Sequence, residues 1–131
     1  MIRTAHWLGY AGLIPFISLT LGMSLHPLTA VAFTTYSAVI LSFLGGIHWG
    51  VALSKPQWSN PTRLCLCMLP SLLGWLALLL PMTGSLILLI GSYLSWWLWD
   101  RAQLIEPDYR RLRVQLTAVA VLCHLVWLVQ T

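Results

Sequence analysis

The chain has 131 residues, of which 59% are hydrophobic and only 8% charged, with seven Lys or Arg against three Asp or Glu. An ordinary soluble domain carries roughly 25% charged residues, so these few charges cannot coat a water-facing surface, and the bilayer is the solvent that suits the chain. Rossmann, TIM-barrel and sandwich enzymes are excluded, and the length leaves room for about five spans of roughly 20 residues with short connections.

Taken in chain order, apolar stretches run over about 7–25, 28–53, 63–80, 83–99 and 112–130, each near the length a bilayer core demands. The first carries Pro15 and is too long for a cleavable signal's apolar region, and no small-residue cleavage site precedes the next span. Turn and charge clusters separate the spans: His26-Pro27, Lys55-Pro56, Asn60-Pro61, Pro81-Met82-Thr83-Gly84 and Glu106-Pro107. Asn60 followed by Pro61 reads as an N-cap and a first helical position. Pro15 and Pro70 predict kinks in the first and third spans, freeing the carbonyls of Ala11 and Leu66. No stretch alternates apolar with polar residues as a transmembrane strand must. The expected fold class is therefore all-α, a polytopic integral membrane bundle of five transmembrane helices filling one domain, residues 1–131.

Basic residues set the orientation. With the N-terminus inside, Arg3, Lys55, Arg63, Arg101, Arg110, Arg111 and Arg113 all fall on the cytoplasmic side, and the two opposite loops hold no Lys or Arg. The expectation is N-in and C-out. Trp7, Trp49, Trp58, Trp96, Trp97 and Trp99 map to the same boundary, where an indole ring sits in acyl chains with its N–H among headgroups. This basic rim attracts anionic headgroups at about 1 kcal/mol per residue and is too sparse for nucleic acid.

In span two, Ala30, Thr34, Ala38, Ser42, Gly46 and Gly50 recur at every fourth position, and small residues let helices approach where lipid supplies no hydrophobic drive. The expectation is that Ser42, Gly46 and Gly50 form a helix-packing surface, within the chain or between two copies. His48 stands about 200° around the helix from Gly46. In span five, Arg113, Thr117, Ala120, His124 and Trp127 share one face, which should look into the bundle. An ionisable group within the bilayer costs roughly 2.5–3.5 kcal/mol on insertion scales, so such groups usually face protein or water. Arg113 either snorkels or pairs, and His124 either bonds a neighbouring hydroxyl or does work. Asp100 ends span four on the face of Leu89, Tyr93 and Trp96. His48, Asp100 and Arg113 share a depth on three spans and form a candidate polar cluster, although spacing alone also allows three separate boundary residues.

Cys65 and Cys67 lie about 200° apart on a helix and cannot present two thiolates to one metal. The odd count with Cys123 implies no disulfide framework. There are no paired intramembrane carboxylates, no His-x-x-x-His, no Gly-x-Ser-x-Gly and no phosphate loop. No cofactor, metal or catalytic residue is expected.

Leu8-Gly9-Tyr10-Ala11-Gly12-Leu13-Ile14-Pro15-Phe16, the block Ser42-Phe43-Leu44-Gly45-Gly46-Ile47-His48-Trp49-Gly50, the segment Tyr93 to Asp100 and Pro107 to Thr117 together resemble an uncharacterised membrane family. Its eukaryotic member is called transmembrane protein 69. The resemblance covers nearly the whole chain, and Asp108 departs from it where the family has an aromatic residue. It implies a small integral protein of a bacterial inner membrane or a mitochondrion, and no reaction. Two function classes lead: a non-catalytic protein that packs in or helps assemble a larger complex, and a small transporter or proton-conducting element built on His48, Asp100, Arg113 and His124. An intramembrane enzyme is the third.

Overall fold

A computed structural model describes residues 3–22, 28–54, 61–103 and 107–130. Seven helices make up those residues: α1 Arg3–Ala11, α2 Ile14–Leu21, α3 Thr29–Ser54, α4 Pro61–Leu66, α5 Leu69–Leu79, α6 Met82–Gln103 and α7 Pro107–Gln130. His26-Pro27, Lys55-Pro56, Trp58, Asn60 and Glu106 fall outside the described residues, as do the side chains of Arg3, Arg101 and Asp108.

Among the described residues, four stretches are long and apolar enough to cross a membrane: Thr29–Gly50, Pro61–Leu79, Met82–Asp100 and Arg110–Gln130. The first apolar segment, Trp7–Leu21, is shorter. It stops at Leu21, and Gly12 and Leu13 break it where Pro15 denies the helix a backbone donor. Pro70 breaks the third stretch the same way, at Cys67 and Met68. Both breaks tighten into i−3 bonds, Leu13 to Tyr10 and Met68 to Cys65.

The boundaries between α6 and α7 move outward. α6 starts at Met82, directly after Pro81, and runs to Gln103; α7 starts at Pro107, a residue suited to a first helical position. The loop expected over 100–111 shrinks accordingly, because hydrogen-bonded helix continues past the apolar stretch.

α3 is the centre of the bundle, packed against α2, α5 and α6 and touching α4, while α6 lies between α5 and α7 and the α1–α2 pair rests on α7. Phe16 of α2 fills the middle, with ring centroids 5.6 Å from Phe33, 5.0 Å from Tyr36 and 6.4 Å from Tyr93, all at the steep angles aromatic pairs prefer. Large side chains such as Leu72, Trp75, Leu79, Leu122 and Val129 face outward, and polar ones such as Ser37, His48, Asp100 and His124 face in. Lipid imposes that distribution, since the apolar exterior is already solvated.

The small-residue stripe needs correction. Each fourth-residue step on an α-helix advances about 40°, so an i+4 ridge winds around the helix. Its first half does pack: a Cβ on Gly74 of α5 would lie 3.2 Å from the Ala38 side chain, and Ser42 turns its hydroxyl back to the Ala38 carbonyl at 2.9 Å. By Gly46 and Gly50 the ridge has left the contact; both are exposed, and a Cβ on either would meet nothing within 4 Å. The close contact passes instead to Gly45, seven residues and so only about 20° from Ala38. A Cβ there would lie 2.6 Å from the Cys67 carbonyl oxygen and 3.2 Å from Pro70. Gly45 accommodates the carbonyl that the α4–α5 break pushes toward α3. The other break also leans on α3, where Tyr36 donates to the Gly12 carbonyl at 2.7 Å.

Candidate functional site

α3, α6 and α7 carry the buried His48, Asp100 and Arg113, respectively, to the end of the bundle where α3 stops and α7 begins. Helix continuing beyond Trp99 keeps Asp100 in register with Leu89, Tyr93 and Trp96, all of them buried. The early start of α7 brings Arg113 to its second turn, one turn before Thr117. The His48 ring bonds one oxygen of Asp100 through Nε2, and Arg113 Nε donates to the other at 2.7 Å. Arg113 Nη1 donates to Thr117 Oγ1 at 3.0 Å. His48, Asp100 and Arg113 are 1%, 3% and 4% exposed, which excludes snorkelling for Arg113 in this structure.

A carboxylate can only accept, so His48 carries a proton on Nε2. With the imidazole neutral, the cluster balances one negative against one positive charge and adds no net charge to the low-dielectric interior. Trp99 stacks on the His48 ring at 4.6 Å and 25°, and Trp96 meets it edge-on at 5.2 Å and 79°. Arg63 places its guanidinium carbon 5.9 Å from the Trp99 ring centre. Trp96, expected in the interfacial belt and on the face of Asp100, and Trp99, expected in the belt, thus wall the histidine. The shared face of Trp96 with Asp100 and the adjacency of Trp99 to it were the sequence cues. Two buried atoms of the cluster have no hydrogen-bond partner, His48 Nδ1 and Arg113 Nη2.

His124 belongs to a second layer. Its Nδ1 bonds the Ala120 carbonyl at 2.6 Å and its Nε2 meets Ser37 Oγ at 2.6 Å. The carbonyl can only accept, so the proton sits on Nδ1, and a neutral ring takes the Ser37 hydroxyl as donor at Nε2. Tyr93 donates to the Ser37 carbonyl at 2.6 Å. Phe33 packs against the His124 ring at 4.8 Å. Ser37 went unremarked in the sequence, yet it stands eleven residues before His48, within about 20° on the same face. Arg113 and His124 repeat that interval on α7 in the opposite direction. The two layers match because α3 and α7 run antiparallel, about 16 Å apart along each axis.

The sequence-derived residues therefore divide. His48, Asp100 and Arg113 are brought together; His124 closes a separate network; Ser42 bonds its own helix, and Gly46 and Gly50 face outward. Among the described residues, no group of three or more His, Cys, Asp or Glu is placed to hold a metal. Cys67 and Cys123 are buried, Cys65 is exposed, and all three are free.

The chain is similar to transmembrane protein 69 of Xenopus tropicalis, 41% identical over 134 aligned residues, covering 91% of this chain and 51% of the frog protein. It is also similar to transmembrane protein 69 of Mus musculus, 39% identical over 83 residues, or 59% of this chain and 34% of the mouse protein. The chain thus spans about half the length of the frog relative and a third of the mouse one. No solved structure matches it. A family model described as protein of unknown function (DUF3429) matches residues 1–129. Apolar helices, a polar interior and these relatives make the chain a multi-pass membrane protein, and it belongs to the DUF3429 family.

Proposed function

We propose that this chain is a non-catalytic bundle whose role is to pack in the membrane beside, or help assemble, a partner protein. One observation carries the reading: among the described residues, the buried His, Asp and Arg side chains lie in two separate layers, each tied helix to helix, with a mainly apolar space between them. Asp100 joins α3 to α7, and Ser37 joins α3 to α6 and α7. A proton path needs hydrogen-bonding groups in unbroken sequence, whereas Tyr93, Arg113 and Thr117 are the polar side chains among the residues that line the interval and the others, Phe16, Leu44 and Ala120 among them, are apolar or glycine. That favours a structural over a conducting role for His48 and His124.

The reading includes five spans in one domain, with α1 and α2 together forming the first. From Arg3 to Leu21 a helix with one break extends about 28 Å, close to the roughly 30 Å of a hydrocarbon core. Lys and Arg on one side support N-in and C-out in a bacterial inner membrane, with anionic headgroups around the basic rim. A phosphatase reporter fused after Thr131 should be active on the far side of the membrane, and a cytoplasmic reporter should be active when placed at 55–60. Blue-native electrophoresis of gently solubilised membranes should place the chain in a complex that contains another protein. A cytoplasmic C-terminus would refute the span count, and migration only as a monomer or homo-oligomer would refute the assembly role.

A further inference from the structure

Between the two polar layers, the α1–α2 pair, α3 and α7 enclose a cleft of about 390 Å³. Its accessible wall is apolar: Gly12, Ile40, Ile47 and Leu116 are half-buried, and Leu8 and Phe43, 68% and 65% exposed, form its mouth on the lipid-facing exterior. The polar side chains among the lining residues, Tyr93, Arg113 and Thr117, are buried and already bonded to protein. Water needs several polar partners to occupy a cavity, and this one offers it next to none. An occupant therefore enters from the bilayer and meets hydrocarbon.

Size and direction narrow the choice. The α7 lining, from Leu112 to Ala120, extends about 12 Å along its helix, and the α3 lining, from Ile40 to Ile47, about 10 Å. The cleft thus runs lengthwise between spanning helices, the direction in which acyl chains lie. Spread over that length, the volume leaves a slot roughly 6 Å across, too narrow for a helix about 10 Å in diameter. An apolar cavity of roughly 150 Å³ holds the six carbons of benzene, so this cleft takes on the order of fifteen carbons, about one acyl chain. One end of the slot is marked by charge. Gly9 sits against Leu112, which puts the Leu8 side of the mouth at the start of α7. Arg110, exposed, stands three residues before Arg113, about 60° around α7 and about 4.5 Å nearer that end. A guanidinium there favours an anionic headgroup.

We propose that this cleft binds one anionic phospholipid from the leaflet on the Arg110 side, with an acyl chain between the α1–α2 pair, α3 and α7 and its phosphate at Arg110. The site is independent of the packing role above, since a chain that proves monomeric still binds the lipid.

Photolabelling of the full chain in phosphatidylcholine nanodiscs tests this, with a trace of phosphatidylglycerol that carries a diazirine in mid-chain and adducts mapped by peptide mass spectrometry. The expected adducts concentrate on Leu8, Ile40, Phe43, Ile47 and Leu116 and saturate at one per chain. A phosphatidylcholine bearing the same diazirine should label these positions less. Arg110→Gln should lower the ratio of phosphatidylglycerol to phosphatidylcholine labelling about fivefold. Leu116→Trp, which fills the slot at a half-buried position, should abolish labelling of Leu8 and Ile47. Adducts spread evenly over the lipid-facing Leu72, Leu79 and Leu122, or unchanged cleft labelling in a folded Leu116→Trp, would overturn the site. A folded chain whose cleft takes no label would overturn the lipid in favour of a partner's side chains. Equal labelling by the two headgroups, or an unchanged ratio in Arg110→Gln, would overturn the anionic preference. If Leu116→Trp fails to fold, the adduct map of the native chain still decides the matter.

Discussion

Asp100→Asn is the sharpest perturbation of the polar cluster, because it preserves shape and removes charge. In the native chain Asp100 accepts from His48 and from Arg113 Nε, the latter at 2.7 Å, and all three residues are at least 96% buried. Asparagine offers one acceptor and two donors in place of two acceptors, so one of the two incoming N–H groups loses its partner and the guanidinium keeps an unbalanced charge. Removing one member of a buried pair costs roughly 3–5 kcal/mol, mainly from the charge left behind. Arg113→Gln removes that charge, so the double variant should be more stable than the sum of single losses predicts, with a coupling energy of roughly 1–3 kcal/mol. Reversible unfolding in mixed micelles, followed by circular dichroism for the wild type, both single variants and the double, measures the cycle. Additivity within about 0.5 kcal/mol would mean the two side chains do not share an interaction, and the cluster would lose its structural meaning.

Other outcomes follow from the packing. Gly45→Leu should abolish or strongly reduce folded protein, because even its Cβ would lie 2.6 Å from the Cys67 carbonyl. Gly46→Leu, with nothing within 4 Å, should shift stability by no more than about 0.5 kcal/mol in monomeric detergent preparations. Yield and thermal unfolding of the pair decide between them. Ser37→Ala leaves the acceptor nitrogen of His124 buried without a donor and should cost roughly 1–3 kcal/mol in the micelle assay, whereas Ser42→Ala, whose hydroxyl only closes on its own helix, should cost less.

How much of this could be read in advance varies with the kind of information each feature needs. Helical class, proline breaks and the inward face of α7 follow from composition and a period of 3.6 along one segment, so they are legible locally. Depth is legible too, which is how His48, Asp100 and Arg113 come to be considered together. Which helices adjoin is a property of the whole bundle. That is why Ser37 and Tyr93 as neighbours of His124, and Trp99 stacked on His48, could not be read from spacing, whereas Trp96 was already legible on the face of Asp100. Within the chain, the stripe puts the contact at Gly46 and Gly50 in the wrong place for a geometric reason: a repeat of four overshoots the helical turn, whereas the seven-residue step from Ala38 to Gly45 stays on one face. Helix ends also ran past the apolar stretches, because backbone bonding and Pro107, not hydropathy, determine where α6 and α7 meet.

The claim that the buried ionisable groups hold the bundle together and do not move ions is tested most directly by proton flux. Purified chain in liposomes loaded with a pH-sensitive dye, driven by a potassium diffusion potential, should acidify or alkalinise no faster than empty liposomes. Flux well above that background, abolished by His48→Phe or His124→Phe in variants that remain folded, would contradict the account and make the two layers parts of a conducting path.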